Sequence, residues 1–138
     1  GNWYGCRTKP LHLINYDFFQ NTFNNVFNSC FPESKFNYSV QSYFHLTNDN
    51  IKKQLSPDEW WHKDEQILAG VIFLNENPKP KSGIVFKLNN KDNVVENKFN
   101  RLVIYKGNIL HRPQDSFGSN LDDTRLTLVF FVQELQLK

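Results

Sequence analysis

The sequence predicts a mostly β domain, a sandwich or jelly roll with one N-terminal helix packed on it. Three observations point there. Apolar residues recur at helical spacing in one prominent stretch, residues 16–29. Beyond Pro32 the period changes to two, and six or more short strand-like segments follow with turn residues between them. No internal repeat or low-complexity tract interrupts the pattern, and 138 residues suit a single domain, residues 1–138.

The helix is read from Phe19, Phe23, Val26, Phe27 and Cys30, spaced three and four apart with Asn and Gln among them. Asn15 is its candidate N-cap. Pro32 closes the segment, because the residue before a proline avoids helical geometry. Residues 36–46 alternate. Tyr38, Val40, Ser42 and Phe44 share one face, and Asn37, Ser39, Gln41, Tyr43 and His45 the other. Residues 48–57 are polar and turn-like. Residues 66–74 are nearly all apolar, as in a central strand buried on both faces. A loop over 79–83 leads to a short strand at 84–88, then to a polar stretch at 89–97 with an Asn-Asn turn. Residues 101–105 form a strand that ends in a Gly107-Asn108 turn signal. Residues 109–111 are short and apolar, 112–124 form a long polar loop, and 125–132 form the last strand.

Thirteen Phe, five Tyr and three Trp give this chain bulky side chains for a core. The net charge of +2 demands neither a nucleic acid nor a membrane surface as partner. No apolar run reaches the roughly 18 residues of a membrane-spanning helix. The first residues lack the charged and then apolar regions of a signal peptide, so a cytoplasmic setting is the expectation. Cys6 and Cys30 are too few for a disulfide framework and read as reduced thiols.

The most informative motif is His62-Lys63-Asp64. Side chains at i and i+2 of a strand share a face, so on a strand His62 and Asp64 point together. Such a pair alone is more often a solvated surface pair. Here Trp60 and Trp61 precede it and an apolar strand follows, which puts a carboxylate at the rim of a core, where charge needs a reason to sit. His111 lies 47 positions beyond Asp64, at the end of a short apolar segment. Two imidazoles and one carboxylate form the facial donor set that holds non-haem Fe(II) and leaves positions open. Catalytic Zn(II) accepts the same set. Arg125 follows His111 by 14 positions, and a guanidinium binds a carboxylate through two parallel hydrogen bonds. Thr127, at i+2, shares its face. A cation waiting for a chelating co-substrate favours iron over zinc. His12 and His45 have no acidic neighbour at ligand spacing, and His45 reads as a half-exposed strand residue.

In their order along the chain, these residues resemble the 2-oxoglutarate and Fe(II)-dependent dioxygenases, in particular a small branch related to prolyl 4-hydroxylases. The resemblance runs through Tyr4-Gly5-Cys6-Arg7-Thr8, Trp61-His62-Lys63-Asp64, residues 69–75, 82–86 and 100–105, Leu110-His111 and residues 125–131. It implies a double-stranded β-helix. It also implies Fe(II) on His62, Asp64 and His111, and 2-oxoglutarate with its far carboxylate on Arg125 and Thr127. Tyr43 and Tyr105 are both candidates to assist. With O2, such a site hydroxylates a substrate and releases succinate and CO2. A peptide or protein side chain ranks first as substrate, a small metabolite next and a nucleic-acid base third. Retention of Asp64 sets the chain apart from related halogenases, where a small residue replaces the carboxylate. Two departures concern Arg125: prolyl 4-hydroxylases typically carry Lys there, and its spacing from His111 is longer than usual. Two other readings stand beside this one, a non-catalytic jelly-roll binding module and a cupin-like metal enzyme that works without 2-oxoglutarate. Trp60, Trp61 and Phe117 are candidates for the entrance or for packing, and the loop at 112–124 for a lid.

Overall fold

The computed structural model describes residues 5–50, 57–120 and 122–137. The polar stretch expected at 48–57 therefore lies partly outside the described residues. Two helices, α1 (Leu11–Ile14) and α2 (Tyr16–Cys30), come first after the short strand β1 (Cys6–Arg7). The other strands are β2 (Phe36–Thr47), β3 (Leu68–Phe73), β4 (Ile84–Leu88), β5 (Lys91–Val95), β6 (Leu102–Lys106), β7 (His111–Pro113) and β8 (Arg125–Leu137). They form a five-stranded sheet in the order β1-β2-β8-β3-β6 and a three-stranded sheet in the order β5-β4-β7. Every pairing is antiparallel. The fold is mostly β, built of two antiparallel sheets in a jelly-roll-like arrangement.

The predicted helix is α2. The Asn15 side chain accepts the Phe18 backbone N–H at 3.0 Å, which caps an otherwise orphaned donor. Phe19, Phe23, Val26 and Phe27 are buried against the five-stranded sheet. Phe23 meets Phe130 of β8 edge-on at 5.2 Å, and Phe27 meets Tyr38 of β2 at 4.9 Å. Each fully buried Phe contributes roughly 1.5–3 kcal/mol through lost apolar surface. His12 lies in α1 and packs on Phe19 at 5.6 Å.

The alternation read in β2 holds. Tyr38, Val40 and Phe44 join the core under α2, while Gln41, Tyr43 and His45 face a cavity between the sheets. β8 alternates in the same way: Leu128, Phe130 and Val132 pack under the helix, and Arg125, Thr127, Val129 and Phe131 line the cavity. A bulge at Ser39/Val40 accommodates the extra residue of β8, which runs on to Leu137 beyond its predicted end at 132. β3 is central, between β8 and β6, as its apolar run implied. A second core, Val71, Phe73, Ile84, Phe86 and Val129, joins the two sheets.

Two expectations need correcting. The polar stretch at 89–97 holds a strand, β5, which pairs with β4 through a turn with Asn89 and Asn90 at φ of 52° and 61°. Positive φ at both central residues is the hairpin geometry that Asn tolerates. The strand escaped notice because it is an edge whose first four residues are exposed, so no apolar alternation marks it. The loop expected from Arg112 begins later, since β7 spans His111–Pro113. The stretch expected as a lid is fastened to residues 48–49: Ser116 Oγ donates to the Asn48 carbonyl at 2.8 Å, and Asp49 N–H donates to the Gly118 carbonyl at 2.9 Å. Phe117 is buried between these ties, so this part of the loop is held rather than hinged. Cys6 and Cys30 are free thiols.

Candidate metal centre

The centre is built on a two-residue backbone bridge. His62 N–H donates to the His111 carbonyl and His111 N–H to the His62 carbonyl, both at 3.0 Å. This sets the two imidazoles side by side, with ring centroids 4.4 Å apart. His62 and Asp64 were expected on one strand; His62 instead makes only this isolated bridge, and Asp64 lies in irregular chain. Asp64 is fixed by its N–H, which donates to the Gly107 carbonyl at 2.7 Å. A side chain at Gly107 would collide with the Gln66 carbonyl, so the turn can pack here only as glycine. His62 Nε2 lies 3.9 Å from one Asp64 oxygen and His111 Nε2 lies 3.2 Å from the other. One donor atom from each of the three residues falls within 4.8 Å of the others. A His–Asp–His triad is present.

The hydrogen bonds decide what this triad can hold. His62 Nδ1 lies 2.7 Å from the Trp60 carbonyl and His111 Nδ1 lies 2.7 Å from the Ile109 carbonyl. A carbonyl only accepts, so both Nδ1 atoms carry the proton. In the neutral rings the two Nε2 lone pairs then face Asp64. Burial, outweighing the Trp60 carbonyl, holds the His62 imidazole below its ordinary range, which favours that neutral form. Asp64 Oδ2 is buried and accepts no hydrogen bond among the described residues. Three electron-pair donors thus converge with no proton between them, and the group that satisfies all three is a cation. Two nitrogens and one oxygen fit a divalent transition metal.

The triad lies in a cavity of about 520 Å³ whose walls include Arg125, Thr127, Tyr43 and Tyr105. The three expected metal ligands and the four residues expected at the co-substrate therefore line one space. Arg125 is 4% exposed, so its charge sits inside the protein. Its Nε donates to the Ser82 carbonyl at 2.8 Å and one terminal nitrogen to the Gly83 carbonyl at 3.4 Å, and its guanidinium lies over Phe73 at 5.7 Å. Burial lowers its pKa to about 10, with Asp115 acting the other way. Among the described residues no carboxylate lies within ion-pairing distance of it. Thr127 is buried beside it, its hydroxyl 3.5 Å from the His45 carbonyl.

The two tyrosines differ. Tyr105 Oη lies 3.4 Å from His111 Nε2, at the triad. Burial, helped by the Asp64 carboxylate, pushes its phenol far up, so it stays protonated. The Tyr43 hydroxyl donates instead to Gln41 at 3.1 Å. Of the aromatics considered for the entrance, Trp61 stands at the rim between Lys87 (4.8 Å) and Arg112 (5.0 Å), while Trp60 and Phe117 are buried.

Two wall residues were missed. Thr47 pairs directly with Arg125 across β2 and β8, and its buried Oγ1 has no hydrogen-bond partner among the described residues. Arg7, on β1 opposite His45, reaches over the rings of Tyr43 and Phe131, 5.4 Å from each centroid. Only strand pairing reveals either. Thr47 is 78 positions from its partner, and β1 has two residues.

The same architecture occurs in a solved enzyme. The chain superimposes on a prolyl-4-hydroxylase from Pseudomonas putida, with a TM-score of 0.55 and 16% identity over 94% of this chain and 70% of that one. The fold is shared. A match to IDO from Bacillus thuringiensis has a TM-score of 0.49 and 12% identity, covering 86% of this chain and 57% of that one. No protein-family model and no curated protein matches in sequence. Among the described residues no helix is long and apolar enough to cross a membrane.

Proposed function

We propose that this chain is an Fe(II)- and 2-oxoglutarate-dependent oxygenase, a single domain whose two sheets form a double-stranded β-helix. The observation that carries the reading is the convergence of His62 Nε2, His111 Nε2 and the Asp64 carboxylate, with both Nδ1 protons already engaged by carbonyls. Arg125 in the same cavity favours iron with a dicarboxylate co-substrate over a hydrolytic zinc site. His62, Asp64 and His111 hold the metal. Arg125 receives the far carboxylate, with Thr127 and the orphaned Thr47 hydroxyl beside it. Tyr105 is the better placed of the two tyrosines to meet the co-substrate at the metal end, because the Tyr43 hydroxyl is turned to Gln41. When bound, iron and 2-oxoglutarate supply the oxidation that turns a substrate C–H bond and O2 into an alcohol, succinate and CO2. The protein contributes position and a cavity that restricts water.

The likeness to a prolyl-4-hydroxylase supports this reading at the level of fold. A non-catalytic binding module offers no account of an unprotonated donor cluster beside a buried cation. The test is an anaerobic titration with Mn(II) or Fe(II), then with 2-oxoglutarate, followed by succinate release in air. The reading expects one metal per chain, metal-dependent 2-oxoglutarate binding and slow succinate formation. Metal binding with no affinity for 2-oxoglutarate would leave a different metal enzyme. Absence of metal binding would leave the binding module.

A further inference from the structure

We propose that Arg7 is a second anion-binding residue of this cavity, placed to hold a carboxylate or phosphate group of the primary substrate. The inference rests on the oxygenase reading and defines the partner which that reading leaves open.

Position is the first support. The Arg7 guanidinium lies over Phe131, whose lateral neighbours in adjacent strands are Ala69 and then Tyr105, the residue beside His111. Arg125 begins the same strand as Phe131. Six residue steps separate them, about 20 Å at roughly 3.3 Å per residue. The two guanidinium groups therefore belong to opposite ends of the cavity, and the triad lies beside the Arg7 end, next to Tyr105. A short dianion that chelates a metal there and extends to Arg125 is directed away from Arg7.

Charge is the second. Among the described residues, Arg7, Lys63, Arg112 and Arg125 line the cavity against two carboxylates, Glu59 and Asp64. A divalent metal and a dicarboxylate cancel one another, so the loaded site keeps an excess of positive charge. In a low-dielectric cleft that excess raises the local concentration of anions and disfavours cations.

Mounting is the third. A guanidinium held over two aromatic rings, 5.4 Å from each centroid, is pre-organised and presents a planar fork that suits either oxyanion. The site therefore selects a small molecule, or a chain end, with an anionic group near the C–H bond that reacts.

The test uses the whole protein loaded with Mn(II) and 2-oxoglutarate under argon. Probe binding is read from the change in water-proton relaxation by Mn(II). N-acetylproline and N-acetylleucine are compared with their amides, and glycerol 3-phosphate with glycerol. The expected result is at least one anion that binds tenfold or more tightly than its neutral counterpart. The carboxylate and phosphate arms show which oxyanion the site prefers. Arg7→Gln should abolish the preference and Arg7→Lys should restore part of it, with Mn(II) and 2-oxoglutarate affinities within about twofold of wild type and unchanged circular dichroism. Equal binding of charged and neutral probes, no binding of any anion, or a preference that survives Arg7→Gln overturns the proposal. So does a large loss of Mn(II) affinity in Arg7→Gln, since Arg7 would then be a support for Asp64. Failure of the wild-type protein to take up Mn(II) or 2-oxoglutarate is a different result and removes the oxygenase reading itself.

Discussion

His62 and His111 are locked to each other through their backbones by two reciprocal hydrogen bonds of 3.0 Å, so their imidazoles stand together before any ligand arrives. The cost of that arrangement is electrostatic. Two Nε2 lone pairs and a carboxylate share one space, and Asp64 Oδ2 is left without a donor.

Asp64→Asn should separate stability from binding. In metal-free protein an amide N–H can donate to a neighbouring Nε2 and relieve the conflict, so the thermal midpoint should rise by a few degrees. Metal affinity should fall by more than the roughly 10–100-fold typical of losing a mere supporting contact. His111→Ala should lose the metal without that gain in stability. Calorimetric melts and anaerobic metal titrations read both quantities; a lower midpoint for Asp64→Asn would remove the lone-pair argument.

Thr47→Val replaces a buried, unpartnered hydroxyl with a methyl group of similar size. Without co-substrate the change should be neutral or stabilising. Affinity for 2-oxoglutarate should drop about tenfold or more, as expected when a hydrogen bond of roughly 1.5–3 kcal/mol to a charged group is lost. Arg125→Lys should weaken the same step further, because an ammonium cannot reproduce the two-pronged contact. Binding isotherms with Mn(II)-loaded protein are the measurement, and unchanged isotherms for both variants would take the far carboxylate away from this end.

Metal-free protein should lose stability as the pH falls through about 6.5. Burial lowers the His62 pKa in the folded state, so the unfolded chain takes up the proton first and binds more protons over that window. Stability therefore increases with pH there. Melting curves from pH 7.5 to 5.5 should fall more steeply for wild type than for His62→Gln, whereas parallel curves would show that His62 is not the group responsible.

Gly70→Ala should destabilise the fold by about 1–3 kcal/mol. A Cβ at Gly70 would collide with the ring of Phe130, which is wholly buried and held by Phe23 of α2. Chemical denaturation measures the loss. The double change Gly70→Ala with Phe130→Leu should recover part of it, since the shorter side chain vacates the contested space.

Much of this was legible in the sequence where one face of an element is apolar and the other is not. The alternation in β2 separated Val40 and Phe44 from Tyr43 and His45, and the structure sends the first pair to the core and the second to the cavity. The continuous run at 66–74 announced a strand covered on both sides. β5 was illegible because an exposed edge has no burial to encode. The convergence of His62 and Asp64 was read from strand spacing, yet it arises from the His62–His111 bridge and the Gly107 contact. Thr47 and Arg7 belong to the cavity only through pairings between distant segments, and local pattern carries no record of such partners.

β8 has two occupations. Its even-numbered residues from Leu128 to Val132 grip the helix, and its odd-numbered residues from Arg125 to Phe131 face the cavity. A slip of one position against β2 would turn Phe130 toward the His–Asp–His triad and thrust a guanidinium among the phenylalanines. A one-residue error in this strand is thus self-announcing, because it cannot spoil the chemistry while leaving the oily interior intact.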